Sequence, residues 1–270
     1  MISAQAAIVK ARRGITLSAI LRWVMISVAV LAFLFQPLLD GTGITGTGVL
    51  LVIGALWLIL SFRSFTGSRK AADSSSLIAA GQYEAAEQNI AEAIDSFSIF
   101  RTVKLMSLHH LAVLRHAQNR WQDTALLCRA VLTQRLGNTL GGLDRSSRLL
   151  LAESLLELGD LPGVYDNLRR LYDQRLSLRE ALTLLVIQTD YLARTAAWGQ
   201  MLEGAMTKVQ LCELLPTLHS ARTQAFLSLA AKNAGKNELC EWLKKRVELL
   251  CDVQRLCKER PMLWEVWKKE

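Results

Sequence analysis

The stretch from Ala80 to Ala86 reads AGQYEAA, and it decides the fold of most of the chain. Its glycine permits the positive φ at which one helix ends, and its alanines allow a second helix to pack closely. Similar phrases recur four times downstream. The spacings between the positions equivalent to the tyrosine are 38, 40, 37 and 39 residues, which indicates five copies of one helix–turn–helix unit. These positions are Tyr83, Trp121, Leu161, Trp198 and Asn237.

The sequence around these phrases is helical in pattern. Apolar residues recur at intervals of three and four, as in the run from Leu149 to Leu158. No segment after residue 64 shows sustained alternation of apolar and polar residues. The sequence therefore predicts an all-α chain.

The repeated unit resembles the tetratricopeptide repeat (TPR) family over about residues 66–250. Gly81, Tyr83, Ala86 and Ala93 match the turn and second-helix pattern of that family. The resemblance implies an αα-solenoid of about five TPR-like repeats, whose concave groove is lined mainly by the first helix of each repeat. These units are longer than the 34 residues of the family, and the second is expected to carry an extra loop at residues 137–144.

Polar residues at the groove positions implied by this resemblance are the candidate partner-binding site. A mixed-charge groove of this kind suits an extended peptide or a partner helix. An exposed solenoid surface with no binding role is the alternative for these positions. The candidate residues are His109, His116, Glu153, Glu157, Asp190, Arg194, Arg222, Lys232 and Asn233.

Two long uncharged runs precede the repeats. Residues 23–39 read WVMISVAVLAFLFQPLL, and residues 42–62 form the second run. About 20 helical residues cross a bilayer core of roughly 30 Å, so we expect a transmembrane hairpin over residues 17–63 with its turn near Asp40. Gly46, Gly48 and Gly54 in the second run are candidates for close contact with another membrane helix.

The charge distribution gives this hairpin an orientation. The chain has a net charge of +8, and residues 1–63 account for +4, from five basic residues and Asp40 alone. The basic residues flank the two runs, so the positive-inside rule predicts that both ends of the hairpin are cytoplasmic. The remaining surplus is interspersed with acids along the rest of the chain, and no nucleic-acid partner is expected.

The predicted organisation has four parts. Residues 1–16 form a cytosolic segment, 17–63 the hairpin, 64–260 the repeat domain and 261–270 a capping or docking segment. This architecture is similar to that of the HemY-type inner-membrane proteins of bacteria, which implies a bacterial inner-membrane location. The bilayer and a protein of unknown identity are the expected partners.

Catalytic and metal-binding patterns are weak. The five cysteines contain no CxxC pair, and His109 and His116 supply only two ligands, so no metal and no cofactor are expected. The chain has no GxSxG motif and no P-loop. Glu153 and Glu157 could form a general-acid pair, but a solvated or partner-facing helix surface is the simpler interpretation.

The sequence therefore predicts a non-enzymatic scaffold or adaptor that recruits a protein partner to the membrane. The alternative is a structural subunit of a membrane complex, docked chiefly through its hairpin. An enzyme that uses the glutamates and histidines is the third hypothesis.

Overall fold

The computed structural model describes residues 2–34, 46–134 and 141–268, and this part of the chain contains helices and no strand. The chain divides into two compact units, Met1–Leu150 and Leu151–Glu270. The α-helices are α1 Ala4–Leu34, α2 Gly46–Ala79, α3 Tyr83–Asp95, α4 Arg101–Ala117, α5 Trp121–Leu132, α6 Gly141–Leu158, α7 Leu161–Tyr172, α8 Leu178–Arg194, α9 Trp198–Leu202, α10 Ala205–Cys212, α11 Thr217–Asn233, α12 Asn237–Leu250, α13 Val253–Glu259 and α14 Trp264–Trp267, with a 3-10 turn at Pro261–Leu263.

The five equivalent positions of the repeated phrase coincide with the starts of helices. Tyr83, Trp121, Leu161, Trp198 and Asn237 are the first residues of α3, α5, α7, α9 and α12. In each turn, the residue two positions earlier has a positive φ. These turn residues are Gly81, Asn119, Gly159, Ala196 and Gly235. The all-helical fold and its recurring helix pairs are therefore observed, while the solenoid and the TPR assignment stay predictions.

The first unit contains two helices that are long and apolar enough to cross a membrane. The qualifying stretches are Ala4–Leu31 in α1 and Leu51–Ala79 in α2, and only 11% of each apolar window is buried within the protein. The second run was expected at residues 42–62, whereas α2 begins at Gly46 and continues to Ala79 without a break. The predicted turn near Asp40 lies outside the described residues.

The beginning of α1 packs against the helices that follow α2. Ala4, Ala7 and Ala11 are buried, and Lys10 forms an ion pair of 2.9 Å with Asp95 at the end of α3. Residues 4–16, assigned from sequence to a separate segment, therefore belong to a helix that runs directly into the first apolar run.

The loop expected at residues 137–144 ends earlier than the sequence suggested, because a helix begins at Gly141. Its first residues lie outside the described part of the chain, but Gly141–Asp144 form the first turn of α6. Asp144 accepts hydrogen bonds of 2.8 and 3.0 Å from Arg148 one turn later. This charged i,i+4 pair stabilises a helical start despite the two glycines.

The second unit is built around α11. Phe226 on this helix is fully buried in an apolar core with Leu243 of α12. The second helix of the fourth repeat is interrupted at Gly204, whose φ of +62° separates α9 from α10. Leu263 and Val266 of the C-terminal segment are buried in the same core, so this segment packs against the second unit. Its role as a cap of the last repeat stays a prediction.

Candidate functional site

The candidate residues of the first unit lie in packed surroundings. His109 on α4 is hydrogen-bonded through Nδ1 to the Oγ of Ser147 on α6, at 3.0 Å. Burial, with a smaller effect of His110, lowers the pKa of His109 to about 4. The imidazole is therefore neutral at physiological pH and is a poor general base there.

His116 makes a different contact. Its ring meets Trp121 edge to face, with the ring centroids 4.9 Å apart. The two histidines are two turns apart on α4 and have different contacts, a hydroxyl for one and an indole for the other. Nothing in these contacts converges on a metal.

Four candidate residues of the second unit converge on one ionic cluster. Asp190 of α8 is completely buried, and Arg194 donates to it from one turn later at 2.8 Å. Arg222 of α11 forms a second ion pair with the same carboxylate. Glu157, from the end of α6, belongs to the cluster through Arg260. We call Glu157, Asp190, Arg194, Arg222 and Arg260 the Asp190 cluster.

Arg260 was not predicted from the sequence. It lies between α13 and the 3-10 turn, and its Nε is 3.2 Å from Asp190 while its Nη atoms bond to Glu157. Arg260 is outside the repeat register, so helical periodicity could not place it beside residues 70 and 103 positions earlier. Its position before Pro261 marks the end of a helix and gives no indication of a long-range partner.

The electrostatics of the cluster favour a structural role over catalysis. Burial alone raises the pKa of Asp190, but the charges of Arg222, Arg260 and Arg194 together hold that pKa below its ordinary value. The carboxylate of Asp190 therefore stays ionised near pH 7 and is a poor proton donor or acceptor there.

A small pocket lies beside the cluster. Its volume is about 230 Å³, and its lining consists of Arg194, Glu259, Arg260, Pro261 and Met262. Three guanidinium groups against two carboxylates leave the cluster with a formal surplus of one positive charge. The site offers no nucleophile paired with a base.

The remaining groove candidates do not join the Asp190 cluster. Lys232 donates a hydrogen bond of 2.7 Å to the carbonyl oxygen of Glu265, and Asn233 is exposed while its amide bonds to Leu229. Glu153 is half-buried, one turn before Glu157 on α6. Partner binding by the groove residues stays a prediction. Among these residues, Asp190 is completely buried, so its carboxylate is inaccessible to a partner.

The glycines assigned to membrane-helix contact lie at the start of α2. Gly46 and Gly48 belong to its first turn. A Cβ built on Gly54 would have no heavy atom within 4 Å, so this position faces open space. Contact of these glycines with a second protein stays a prediction.

Metal chemistry finds no support in the described residues. They contain no group of three or more His, Cys, Asp or Glu side chains able to hold a metal ion. Burial raises the pKa of Cys128, and raises those of Cys212 and Cys257 to about 11, so these thiols are not activated nucleophiles.

Comparison with known proteins gave no relative: no family model, no curated protein and no solved structure matches this chain.

Proposed function

We propose that this protein is a membrane-anchored helical scaffold that binds a protein partner at the cytoplasmic face of a bacterial inner membrane. The observation that carries the proposal is the continuity of α2. This helix begins in the exposed apolar run at Gly46 and ends at Ala79, immediately before the first repeat turn. An apolar anchor and the first repeat thus share one helix, which fixes the direction in which the repeats leave the anchor.

Contacts at the other end of the hairpin support the same arrangement. Lys10 of α1 pairs with Asp95 at 2.9 Å, and Lys70 of α2 pairs with Glu92 at 2.6 Å. Both acids lie on α3, so one helix binds the polar ends of both long helices. If the apolar parts cross a membrane, both ends must therefore lie on the same side, and the basic flanks place that side in the cytoplasm.

The partner is proposed to be a protein that offers an extended segment or a helix. Repeat proteins commonly bind through the helices that line their groove. The accessible groove candidates Glu153 and Asn233 supply one acidic and one amide side chain for such a contact. Because burial raises the pKa of Cys128, Cys212 and Cys257 and lowers that of His109, the proposal includes no catalytic step.

The test is co-purification from native membranes after chemical crosslinking, read by mass spectrometry, with full-length protein. The groove variant is Glu153→Ala with Asn233→Ala. Its matched control, Asp166→Ala with Gln200→Ala, removes an acid and an amide from exposed positions on the second helices α7 and α9. Loss of a specific partner only in the groove variant is expected. Recovery of no specific partner by the wild type would contradict the scaffold function.

The second candidate is a structural subunit of a membrane complex, docked through its hairpin. The open space around Gly54 is the observation that favours it, because another helix could approach there. Gly54→Leu should abolish partner recovery if the hairpin is the docking surface and leave it unchanged if the groove is. Deleting residues 1–63 is a poor test, because Ala4, Ala7 and Ala11 are part of the buried core.

A further inference from the structure

Four arginines surround the junction between the apolar parts of α1 and α2 and the helices that follow. Arg12 and Arg13 lie on α1, Arg63 and Arg69 lie on α2, and all four are exposed. We call these four residues the arginine collar. Asp40 is the sole acidic residue in the first 72 positions of the sequence, so few acids are close in sequence to neutralise the collar.

The two helices can be aligned through their glycines. A Cβ on Gly14 would lie 3.2 Å from Cε of Lys104, and a Cβ on Gly67 would lie 2.8 Å from Oγ of Ser96. Lys104 donates a hydrogen bond to the carbonyl of Ser96, so Gly14 and Gly67 contact two bonded residues, and we use these two glycines as an approximate common reference level.

This alignment places the collar in a thin layer. Arg12, Arg13 and Arg69 lie one or two residues to the polar side of that level, and Arg63 lies four residues to the apolar side. At 1.5 Å per residue the four Cα atoms span about 9 Å along the helix axes. The headgroup region of a bilayer is about 5–8 Å thick on each side, so the Cα atoms of the collar extend slightly beyond it, a distance that the long arginine side chains can bridge.

The apolar parts beyond the collar have the length of a bilayer core. From Ile15 to Leu34 and from Gly46 to Phe62 the helices contain roughly 20 and 17 residues, which corresponds to about 30 and 25 Å. The first stretch includes one charged residue, Arg22, whose Nε donates a hydrogen bond to the carbonyl oxygen of Ser18. Large exposed apolar side chains continue to Phe62 and Phe65 on α2. The collar therefore lies where the hydrocarbon ends.

Ion pairing distinguishes the collar from its neighbours. The nearby lysines Lys10 and Lys70 are paired with Asp95 and Glu92. In the described residues, the guanidinium groups of Arg12, Arg13 and Arg63 have no hydrogen bond and no ion pair, and that of Arg69 lies 5.0 Å over the ring of Phe65 without an acidic partner. The lysines therefore form ion pairs within the protein. The positive charges of the four arginines are not neutralised by an acid in the described residues, so they are available to an external anion.

We propose that the arginine collar binds the phosphate groups of anionic phospholipids. The guanidinium group donates two parallel hydrogen bonds to a phosphate, and each basic residue near a membrane surface adds about 1 kcal/mol of attraction to anionic lipid. The proposal rests on the membrane anchoring in the proposed function and goes beyond it by naming the lipid class.

The test is native mass spectrometry of the full-length protein in dodecyl maltoside, titrated with phosphatidylglycerol or phosphatidylcholine. The wild type should bind phosphatidylglycerol at least about tenfold more tightly, since tenfold corresponds to 1.4 kcal/mol. The variant Arg12→Gln, Arg13→Gln, Arg63→Gln, Arg69→Gln should lose this preference. If the fourfold variant fails to fold, the double variant Arg12→Gln with Arg13→Gln replaces it in the test. We expect this double variant to lose a smaller part of the preference for phosphatidylglycerol.

The matched control is Arg169→Gln, Arg170→Gln, Arg175→Gln, Arg179→Gln, which removes the same charge from exposed arginines of the second unit. This control should keep the preference for phosphatidylglycerol. Equal binding of both lipids by the wild type, or an equal loss in the control, would overturn the proposal. So would a collar variant that keeps the lipid preference but loses a co-purified acidic protein.

Alkaline carbonate extraction separates failure of the collar from failure of the anchor. A wild-type protein that stays in the membrane but binds both lipids equally contradicts only the lipid proposal. A wild-type protein that carbonate releases contradicts the membrane anchor itself, and with it the collar.

Discussion

Arg115 of α4 binds Glu87 of α3 through two parallel hydrogen bonds, of 3.1 and 2.8 Å. The arginine side chain is completely buried. Both residues also bind the backbone of Ile2: its amide donates to Glu87 at 2.6 Å, and its carbonyl accepts from Arg115 at 2.7 Å. One ion pair therefore joins the beginning of the chain to the first two repeats.

The first prediction concerns this pair. Arg115→Met leaves the Glu87 carboxylate without its partner, and removing one member of a buried ion pair costs about 3–5 kcal/mol. We expect a loss of that size in the free energy of unfolding, measured by chemical denaturation in detergent. The exposed pair Lys10–Asp95 is the control, and Lys10→Ala should cost less than about 1 kcal/mol.

A double variant tests whether the loss comes from the unpaired charge. Glu87→Met together with Arg115→Met replaces both partners with apolar groups and should recover part of the stability lost by Arg115→Met. A double variant that loses the sum of the two single losses would show that the two residues act independently.

The second prediction compares two glycines of α2. Gly67 is buried, and a Cβ there would meet Ser96 at 2.8 Å, whereas Gly54 has open space around it. Gly67→Leu should destabilise the first unit by about 1–3 kcal/mol, the usual cost of overpacking. Gly54→Leu introduces the same side chain into the same helix and should leave thermal unfolding unchanged. Equal melting temperatures of the two variants would contradict the close approach of α2 and α3.

The helix boundaries could be predicted from sequence because each one is a local property. A residue with positive φ lies in each turn, and the residue two positions later begins the next helix, so a repeated phrase is sufficient to place both. That first residue is aromatic or apolar in four copies and Asn237 in the fifth. The prediction was correct even at Asn119 and Ala196, where the turn has no glycine. At these two turns the spacing from the other copies indicated the helix boundary, because the local residue is not a glycine.

The ionic clusters could not be predicted, because they depend on contacts between distant parts of the chain. Ile2 and Arg115 are 113 positions apart, and Arg260 and Glu157 are 103 apart. The resemblance to TPR proteins placed Glu157, Asp190, Arg194 and Arg222 on first helices, but it gave no reason for Arg260 to join them. The same resemblance implied a groove position for Asp190, although the structure buries its carboxylate.

The third prediction concerns Lys104, whose buried ammonium donates to the carbonyl oxygens of Ala93 at 3.1 Å and Ile94 at 2.7 Å, and also to Ser96. Burial lowers the pKa of Lys104 to about 8, and the charge of Asp95 offsets this only in part. Between pH 8 and the ordinary lysine pKa near 10.5, the unfolded chain binds more protons than the folded one. Stability should therefore rise with pH across that window.

Lys104→Met should remove this rise, and the measurement is the free energy of unfolding at pH 7.5, 8.5 and 9.5. Lys70→Met is the control, because Lys70 is exposed and its ion pair with Glu92 lies at the surface. If the wild type and Lys104→Met have parallel pH profiles, Lys104 keeps an ordinary pKa and is not buried as described.

The fourth prediction concerns acid stability of the second unit. The pKa of Asp190 is held below its ordinary value of 3.8, because the charges of Arg222, Arg260 and Arg194 outweigh the opposing effect of burial. A carboxylate with a depressed pKa in the folded state stabilises the protein above its unfolded pKa. That contribution disappears as the pH falls through the lower, folded value. The wild type should therefore lose stability as the pH falls below the ordinary aspartate pKa of 3.8.

Asp190→Asn should make that loss shallower, and at pH 7 it should destabilise the second unit because three guanidinium groups then lack their shared carboxylate. Hydrogen exchange of the amides in α8 and α11 measures the effect locally. Asp166→Asn is the control, since Asp166 is an exposed acid on α7.

Release of the C-terminal segment is a second readout, because Arg260 connects that segment to Asp190 and Glu157. In Asp190→Asn, limited digestion with chymotrypsin should cut after Trp264 faster than in the wild type, and an unchanged cutting rate would show that the apolar contacts of Leu263 and Val266 hold the segment without the cluster.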